Sequence, residues 1–271
     1  MLGLAPETKR GIYIANLKSA IRGRPARFSY DEATELFHVK EGENWHAFGD
    51  FRRGKGLYKR GLDYRAETLW KSYTLQNIEF SEEDVVIDCG ANYADLWLTL
   101  KHVIAPENYI TFEPGQREHA AIVQNAPEAR ANNCGLGSKN ETLTFYLNEI
   151  DADSSFVEPA SYSETLEAQT FSLESYLHMN AIERVKLFKL EAEGFEPEIL
   201  QGALGVLDRI QYIAIDGGYE RGVNCEQTFT HQTNLLTEHG FKMLDINLKW
   251  GRALFERIGG MTGKRAATAA Y

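Results

Sequence analysis

Apolar positions along this chain fall into short runs separated by segments of helical spacing. Val85-Val86-Ile87 is a run of β-branched residues that ends on Asp88, and a turn of small residues follows at Cys89-Gly90-Ala91-Asn92. Beyond the turn, Leu96, Leu98, Leu100, Val103 and Ile104 suggest a helix. An apolar run of this length reads as a strand buried on both faces. A strand that feeds a helix through a glycine turn is the ligand-binding corner of a doubly wound α/β sheet. Further runs predict strands at 109–113, 131–134, 142–147, 186–190, 212–215, 241–246 and 253–258, with helices between most of them. Glu196-Pro197 predicts a helix start, because proline suits a first turn, and Gly240 predicts the end of a helix over 230–239.

The first 77 residues read differently. Residues 12–22 suggest a short helix. Residues 28–51 alternate weakly, with Lys40-Glu41-Gly42-Glu43 as a hairpin turn between strands at 36–39 and 45–48. Residues 64–75 return to helical spacing, with Leu69, Trp70 and Tyr73 placed to cover a sheet edge. The expected division is an N-terminal arm with edge elements over 1–77, a sheet domain over 78–260, and a small, polar, frayed tail over 261–271. There are no internal repeats.

The turn after Asp88 narrows the ligand. Gly90 and Ala91 allow a close backbone approach. A dinucleotide fingerprint needs two further glycines, and the chain reads Ala91-Asn92-Tyr93-Ala94-Asp95 instead. No phosphate-cradling Gly-x-x-x-x-Gly-Lys-Ser/Thr loop occurs either. A ligand with ribose and adenine but no phosphate fits better. The next strand, Tyr109-Ile110-Thr111-Phe112, ends on Glu113-Pro114, and an acid at that tip hydrogen-bonds ribose hydroxyls in such sheets. Asp88, Gly90 and Glu113 together point to S-adenosylmethionine. The same pattern also suits a plain α/β core whose acids cap helices.

Four blocks resemble one family in its order. Val86-Ile87-Asp88-Cys89-Gly90-Ala91-Asn92 is similar to the first motif of the FkbM methyltransferases, and Phe112-Glu113-Pro114 to their second-strand signature. Asn133-Cys134-Gly135-Leu136-Gly137-Ser138 resembles their third-strand turn. Ser172-Leu173-Glu174-Ser175-Tyr176, followed by Val185-Lys186-Leu187-Phe188-Lys189-Leu190-Glu191-Ala192-Glu193-Gly194, resembles their strongest block. The likeness runs from about Ile78 to Ile258. It implies a seven-stranded, mostly parallel, class I methyltransferase-like (Rossmann-like) sheet with a final hairpin. It also implies cofactor contacts at Asp88, Gly90, Ala91, Asn92, Glu113, Pro114, Asn133 and Gly135. Ala94 stands where the family has a second glycine, adding a methyl near the methionine end of the cofactor. Glu191 stands where the family has aspartate, lengthening an acid beside the reacting centre.

Composition adds bounds. The chain has 271 residues, 43% of them hydrophobic, enough for a sizeable core and too many for a disordered chain. No apolar run approaches the ~18 residues of a membrane span, and the N-terminus lacks a signal-peptide pattern. Cys89, Cys134 and Cys225 lack metal-site spacing and suggest free thiols in a cytoplasmic protein. The net charge is −10, but residues 1–60 hold 12 Lys and Arg against 7 Asp and Glu. The basic run from Arg52 to Arg60 suits either a solvated loop or an anionic group on an acceptor, such as a phosphate on a sugar or glycolipid. The overall acidity argues against a nucleic-acid partner.

The candidate catalytic acids are Glu191, at the end of one strand, and Asp216, at the end of the next. Either suits removal of a hydroxyl proton during methyl transfer. In extended chain Glu191 and Glu193 share a face. Glu191 and Asp216 would also suit joint coordination of Mg²⁺, although no ligand spacing marks a metal site. Gly217-Gly218 suits a close approach or a turn, and Glu220-Arg221 suits a sugar hydroxyl or a surface pair. His231 and His239 fall in a predicted helix. Asp153-Ser154-Ser155 lies in a long loop that covers the donor or merely connects. The expected function is O-methylation of a sugar, glycan or other hydroxylated small molecule. A cofactor-binding protein without catalysis and, more remotely, an NAD-dependent oxidoreductase remain as alternatives. Oligomeric state is not legible.

Overall fold

The computed structural model describes residues 6–148 and 154–259. The 261–271 tail and Asp153 therefore lie outside the described residues. The arm comprises helix α1 (Pro6–Ile21), strands β1 (Arg27–Asp31), β2 (Leu36–Glu41) and β3 (Asn44–Phe48), and helices α2 (Phe51–Tyr58) and α3 (Leu62–Ser72). Its strands form an antiparallel sheet, and the tight turn between β2 and β3 falls where the hairpin was expected. The arm is not a free appendage. Its apolar cluster, with Phe28, Phe37, Val39, Phe48 and Tyr58, takes in Tyr93 and Ala121 of the sheet domain.

The sheet domain contains β4 (Val86–Cys89), α4 (Trp97–Leu100), β5 (Tyr109–Phe112), α5 (Gln116–Asn125) and β6 (Arg130–Asn132). It continues through β7 (Gly135–Leu136), β8 (Glu141–Leu147), β9 (Glu164–Phe171), α6 (Leu173–Met179), β10 (Val185–Leu190), α7 (Glu196–Gln201) and β11 (Ile210–Asp216). The short pair β12 (Tyr219–Arg221) and β13 (Glu226–Gln227) precedes α8 (Phe229–Glu238), β14 (Phe241–Asn247) and β15 (Arg252–Arg257). Seven strands form the central sheet in the order β14-β15-β11-β10-β4-β5-β6. The run from β11 to β6 is parallel, and β15 joins β11 and β14 antiparallel, as the final hairpin requires.

Alternation along the strands builds two cores. Ile87, Cys89, Phe188 and Leu190 face one layer, under α6, α7 and Phe241. Val86, Tyr109 and Leu187 face the other, under Leu69, Tyr73, Trp97 and Leu100. Leu69 and Tyr73 thus cover the sheet as expected, with Trp70 partly buried beside them.

One predicted strand sits elsewhere. Residues 142–147 lie in β8, outside the central sheet, in a separate sheet ordered β7-β9-β8. β8 runs antiparallel to β9, and Ser154-Ser155 lies in the connection between these two strands.

Candidate active site

Parallel strands expose their carboxyl ends together, and here those of β4, β5 and β10 border one cleft of about 700 Å³. The turn from Gly90 to Leu96 forms its floor, and Glu113 to Glu118 form one wall. Phe145, Leu147, Ser154 and Phe156 form another. The arm closes the remaining side with Gly49, Asp50, Arg52, Arg53, Arg65 and Leu69. Asp88, Gly90, Ala91, Asn92, Glu113, Pro114, Gly135 and Glu191 all line the cleft. Asn133 and Asp216 do not. Asn133 donates from Nδ2 to the carbonyls of Glu113 (2.9 Å) and Pro114 (3.1 Å), so it braces the wall from behind.

Glu113 is buried at the tip of β5. Its Oε2 accepts from the Asn92 N–H (2.9 Å) and its Oε1 from the Gly115 N–H (2.9 Å). Each oxygen keeps a further lone pair for a hydroxyl donor. Burial, aided by the nearby Glu118 charge, pushes its carboxyl up to about 8 against those two donors.

Gly90 has a different reason for being glycine than the one the sequence suggests. Its φ is +68°, and a Cβ there would lie 1.8 Å from the carbonyl oxygen of Glu191. The carbonyl of Glu191, just past the end of β10, fills that space, not a ligand. Ala94 also differs from expectation. It adopts φ 59°, a conformation that favours glycine. Its side chain packs into the buried core, not into the cleft. Left-handed strain of ~1–2 kcal/mol at alanine is opposed by ~0.8 kcal/mol of methyl burial and ~0.5–1 kcal/mol of glycine chain entropy. Ala94→Gly is therefore expected to move stability by less than about 1 kcal/mol and leave ligand affinity unchanged; a several-fold change in affinity would contradict this placement.

Beneath the cleft runs a chain of buried charges. The Tyr109 hydroxyl donates to Asp88 Oδ2 (2.6 Å), and Lys189 Nζ lies 3.0 Å from Asp88 Oδ1. Lys189 also reaches Glu191 Oε2 (2.9 Å) and donates to the carbonyls of Cys89 (3.2 Å) and Gly90 (2.7 Å), tying β10 to the turn. Arg252 binds Glu191 Oε1 through Nη2 (2.8 Å) and Asp216 Oδ2 through Nε (2.6 Å). Its Nη1 donates to Ser72 Oγ (2.7 Å), and its guanidinium lies 4.2 Å from the Tyr73 ring centroid. Burial opposes the charge on Lys189, but Asp88 and Glu191 outweigh it and raise its pKa. Burial likewise opposes ionisation of Glu191, and Lys189 and Arg252 overcome it, holding that carboxyl well below its usual range.

This geometry corrects several expectations. Arg252 occupies the place between Glu191 and Asp216 that the sequence offered to Mg²⁺. Among the described residues no group of three His, Cys, Asp or Glu forms a metal site. β10 stops at Leu190 and Glu193 takes φ 49°, so Glu191 and Glu193 do not continue one strand face. Arg221 pairs with Glu198 (2.7 and 2.9 Å), not with Glu220. Cys89 borders the cleft, yet burial raises its thiol pKa, as for a small core residue. Ser155 donates to the carbonyl of Glu193 (2.8 Å), so that segment is fastened to the end of β10.

Sequence reasoning missed Lys189, Arg252 and Arg65 as cleft residues. It also missed Asp95, which accepts from Tyr58 (2.6 Å) and Arg65 (2.7 Å) and binds the arm to the turn. A lysine inside an apolar strand was the one available signal, because a buried ammonium needs a buried carboxylate.

The buried acids set a pH dependence. Burial dominates in pushing Glu113 up to about 8, Glu196 to about 7 and Glu220 to about 8, from an ordinary 4.5. Between those values the folded protein keeps protons that the unfolded chain has shed. Their contribution is full below pH 4.5 and is lost as pH rises toward 8. The melting temperature is expected to fall from about pH 5.5 to about pH 8.5, and a rise over that span would contradict the burial of these acids.

Residues 88–243, more than half of the chain, match the family described as Methyltransferase FkbM domain. Methyltransferase 1 of Beauveria bassiana (strain ARSEF 2860) is 21% identical over 196 residues, covering 63% of this chain and 77% of that protein. The crystal structure of Methyltransferase FkbM from Methylobacillus flagellatus KT is 16% identical with a TM-score of 0.43. That match covers 66% of this chain but only 45% of the other, so the chain spans less than half the length of that protein. With the family's matched span reaching from Asp88 in β4 to the start of β14, this chain belongs to the FkbM methyltransferases.

Proposed function

We propose that the cleft binds S-adenosylmethionine and that the protein methylates an oxygen of a sugar, glycan or other hydroxylated small molecule. The observation that carries this reading is the pairing of two features along one cleft. Glu113 presents a buried carboxyl group with spare hydrogen-bonding capacity beside the Gly90–Asp95 turn. The chain of Asp88, Lys189, Glu191, Arg252 and Asp216 sums to one negative charge when all five are ionised. A net negative charge under a partly closed cleft favours a cationic ligand.

S-adenosylmethionine supplies an activated methyl group on a positively charged sulfonium. Glu113 would accept the ribose hydroxyls. Asp88, Ala91, Asn92, Pro114 and Gly135 would shape the cofactor's surroundings, with Asn133 bracing the wall that holds Glu113. Lys189 would hold the turn through the Cys89 and Gly90 carbonyls. Glu191, whose side chain is 25% exposed, would place the acceptor hydroxyl or receive its proton, and Asp216 would act through Arg252. Methyl transfer needs alignment more than acid–base power, so a carboxylate fixed by two cations is suited to positioning.

The experiment is transfer of isotopically labelled methyl to a panel of sugars and glycolipid precursors. The expected result is label on a hydroxylated acceptor with matching release of demethylated cofactor. Label appearing only on amines would contradict oxygen as the target. Normal cofactor binding with no turnover across the panel would favour a binding protein of the same fold.

A further inference from the structure

A second cavity, of about 310 Å³, lies in the arm, and the basic character of the chain's first 60 residues converges on it. α1 supplies Lys18, the turn after it Arg22 and Arg24, and α2 with its cap Lys55 and Lys59. Among the described residues no carboxylate lines this cavity. None of the five cations enters an ion pair among the described residues. The sequence explains the imbalance, since six Lys and Arg and no Asp or Glu occur from residue 8 to residue 30. Five cations without an ion pair among the described residues, one of them (Lys55) lying over the Phe51 ring, repel each other around one cavity, and an anion that enters it relieves that repulsion.

The rest of the cavity is apolar. Ile14, Ala15 and Phe28 complete its wall. On the same helix Tyr13, Leu17 and Ile21, spaced four residues apart, are 69%, 47% and 75% exposed. Helical spacing of four puts these side chains on one face, adjacent to Lys18 and Arg22. A soluble anion would use the cations and leave the apolar stripe in water. An anionic group that carries hydrocarbon uses both. α2 also divides the basic run noted in the sequence: Arg52 and Arg53 face the cleft, whereas Lys55 and Lys59 face this second cavity.

We propose that α1 and this cavity form a docking site for an anionic membrane surface, with a lipid phosphate in the cavity and the α1 apolar stripe at the acyl boundary. The exposed Tyr13, Leu17 and Ile21 supply apolar contacts for such an interface, and Lys18 and Arg22 beside them supply charge for its anionic headgroups. The net charge of −10 makes attraction through the whole molecule unfavourable, so contact is confined to this face.

The test is sedimentation of the full chain with vesicles of phosphatidylglycerol in phosphatidylcholine, against phosphatidylcholine alone. Binding is expected only to the anionic vesicles and should weaken with salt. The double variant Lys55→Ala/Lys59→Ala should bind about 30-fold more weakly, each cation near an anionic surface contributing roughly fivefold. Leu17→Ser/Ile21→Ser should also bind more weakly while keeping wild-type melting behaviour. Equal binding to neutral vesicles, or unchanged affinity in the lysine variant, would overturn the proposal. Saturable binding of inorganic phosphate without vesicle binding would assign the cavity to a soluble anion and overturn it too. So would tighter capture of single-stranded RNA than of vesicles. Binding of S-adenosylmethionine by the same variants should match the wild type, which separates this site from the cleft.

Discussion

Gly90→Ala is expected to abolish the folded protein or reduce its stability by ~3 kcal/mol or more. The methyl group would sit 1.8 Å from a backbone oxygen of Glu191, which cannot rotate away as a side chain would. Relief requires β4 and β10 to separate where Lys189 ties them together. Overpacking against fixed structure costs ~1–3 kcal/mol, and the left-handed φ adds ~1–2 kcal/mol. Gly42→Ala is the control. Its φ is +58°, but a Cβ there meets nothing, so only the conformational cost of ~1 kcal/mol is expected. Thermal unfolding of both variants separates collision from strain. Equal effects would show that the close approach of Glu191 is not what excludes a side chain at residue 90.

Glu191→Gln is expected to lower turnover by about 10², the lower end of the cost of losing an acid or base at a reacting centre. The amide keeps the shape but removes the charge that faces Lys189 and Arg252. Breaking a buried ion pair outright costs ~3–5 kcal/mol. Here each cation retains a second carboxylate, Asp88 for Lys189 and Asp216 for Arg252, so the loss of stability should be smaller. Asp216→Asn should be milder in turnover, because Asp216 does not border the cleft and reaches it only through Arg252. Steady-state rates at saturating cofactor provide the check. Full turnover in both variants would remove these acids from the reaction.

The legible parts of the sequence were those where one physical demand dominates. β4 and β5 are buried throughout and β10 and β11 over most of their length, so each appears as a short, mainly apolar run. The β2–β3 hairpin and the start of α7 carried turn and helix-start signals. β9 did not show, because only Ala168 and Thr170 of its eight residues are buried. Without its partner visible, β8 reads as a strand of the central sheet. The acid at the tip of β5 was legible from the strand–turn pattern. The arm's share of the cleft was not, because Arg65 and Asp95 meet across 30 residues by tertiary packing alone. Arg252 gave no local signal either. It lies opposite Asp216 only once β15 has paired with β11.

The central claim is that the cleft is a site for S-adenosylmethionine, with Glu113 on its ribose. Isothermal titration of the wild type and Glu113→Ala tests it most directly. The wild type should bind S-adenosylmethionine at one site per chain and give no binding heat with NAD. Loss of two ribose hydrogen bonds, together worth ~1–3 kcal/mol, should weaken S-adenosylmethionine binding by about tenfold to a hundredfold in a variant that still melts cooperatively. No binding in the wild type, or an unchanged dissociation constant in a folded Glu113→Ala protein, would contradict the account.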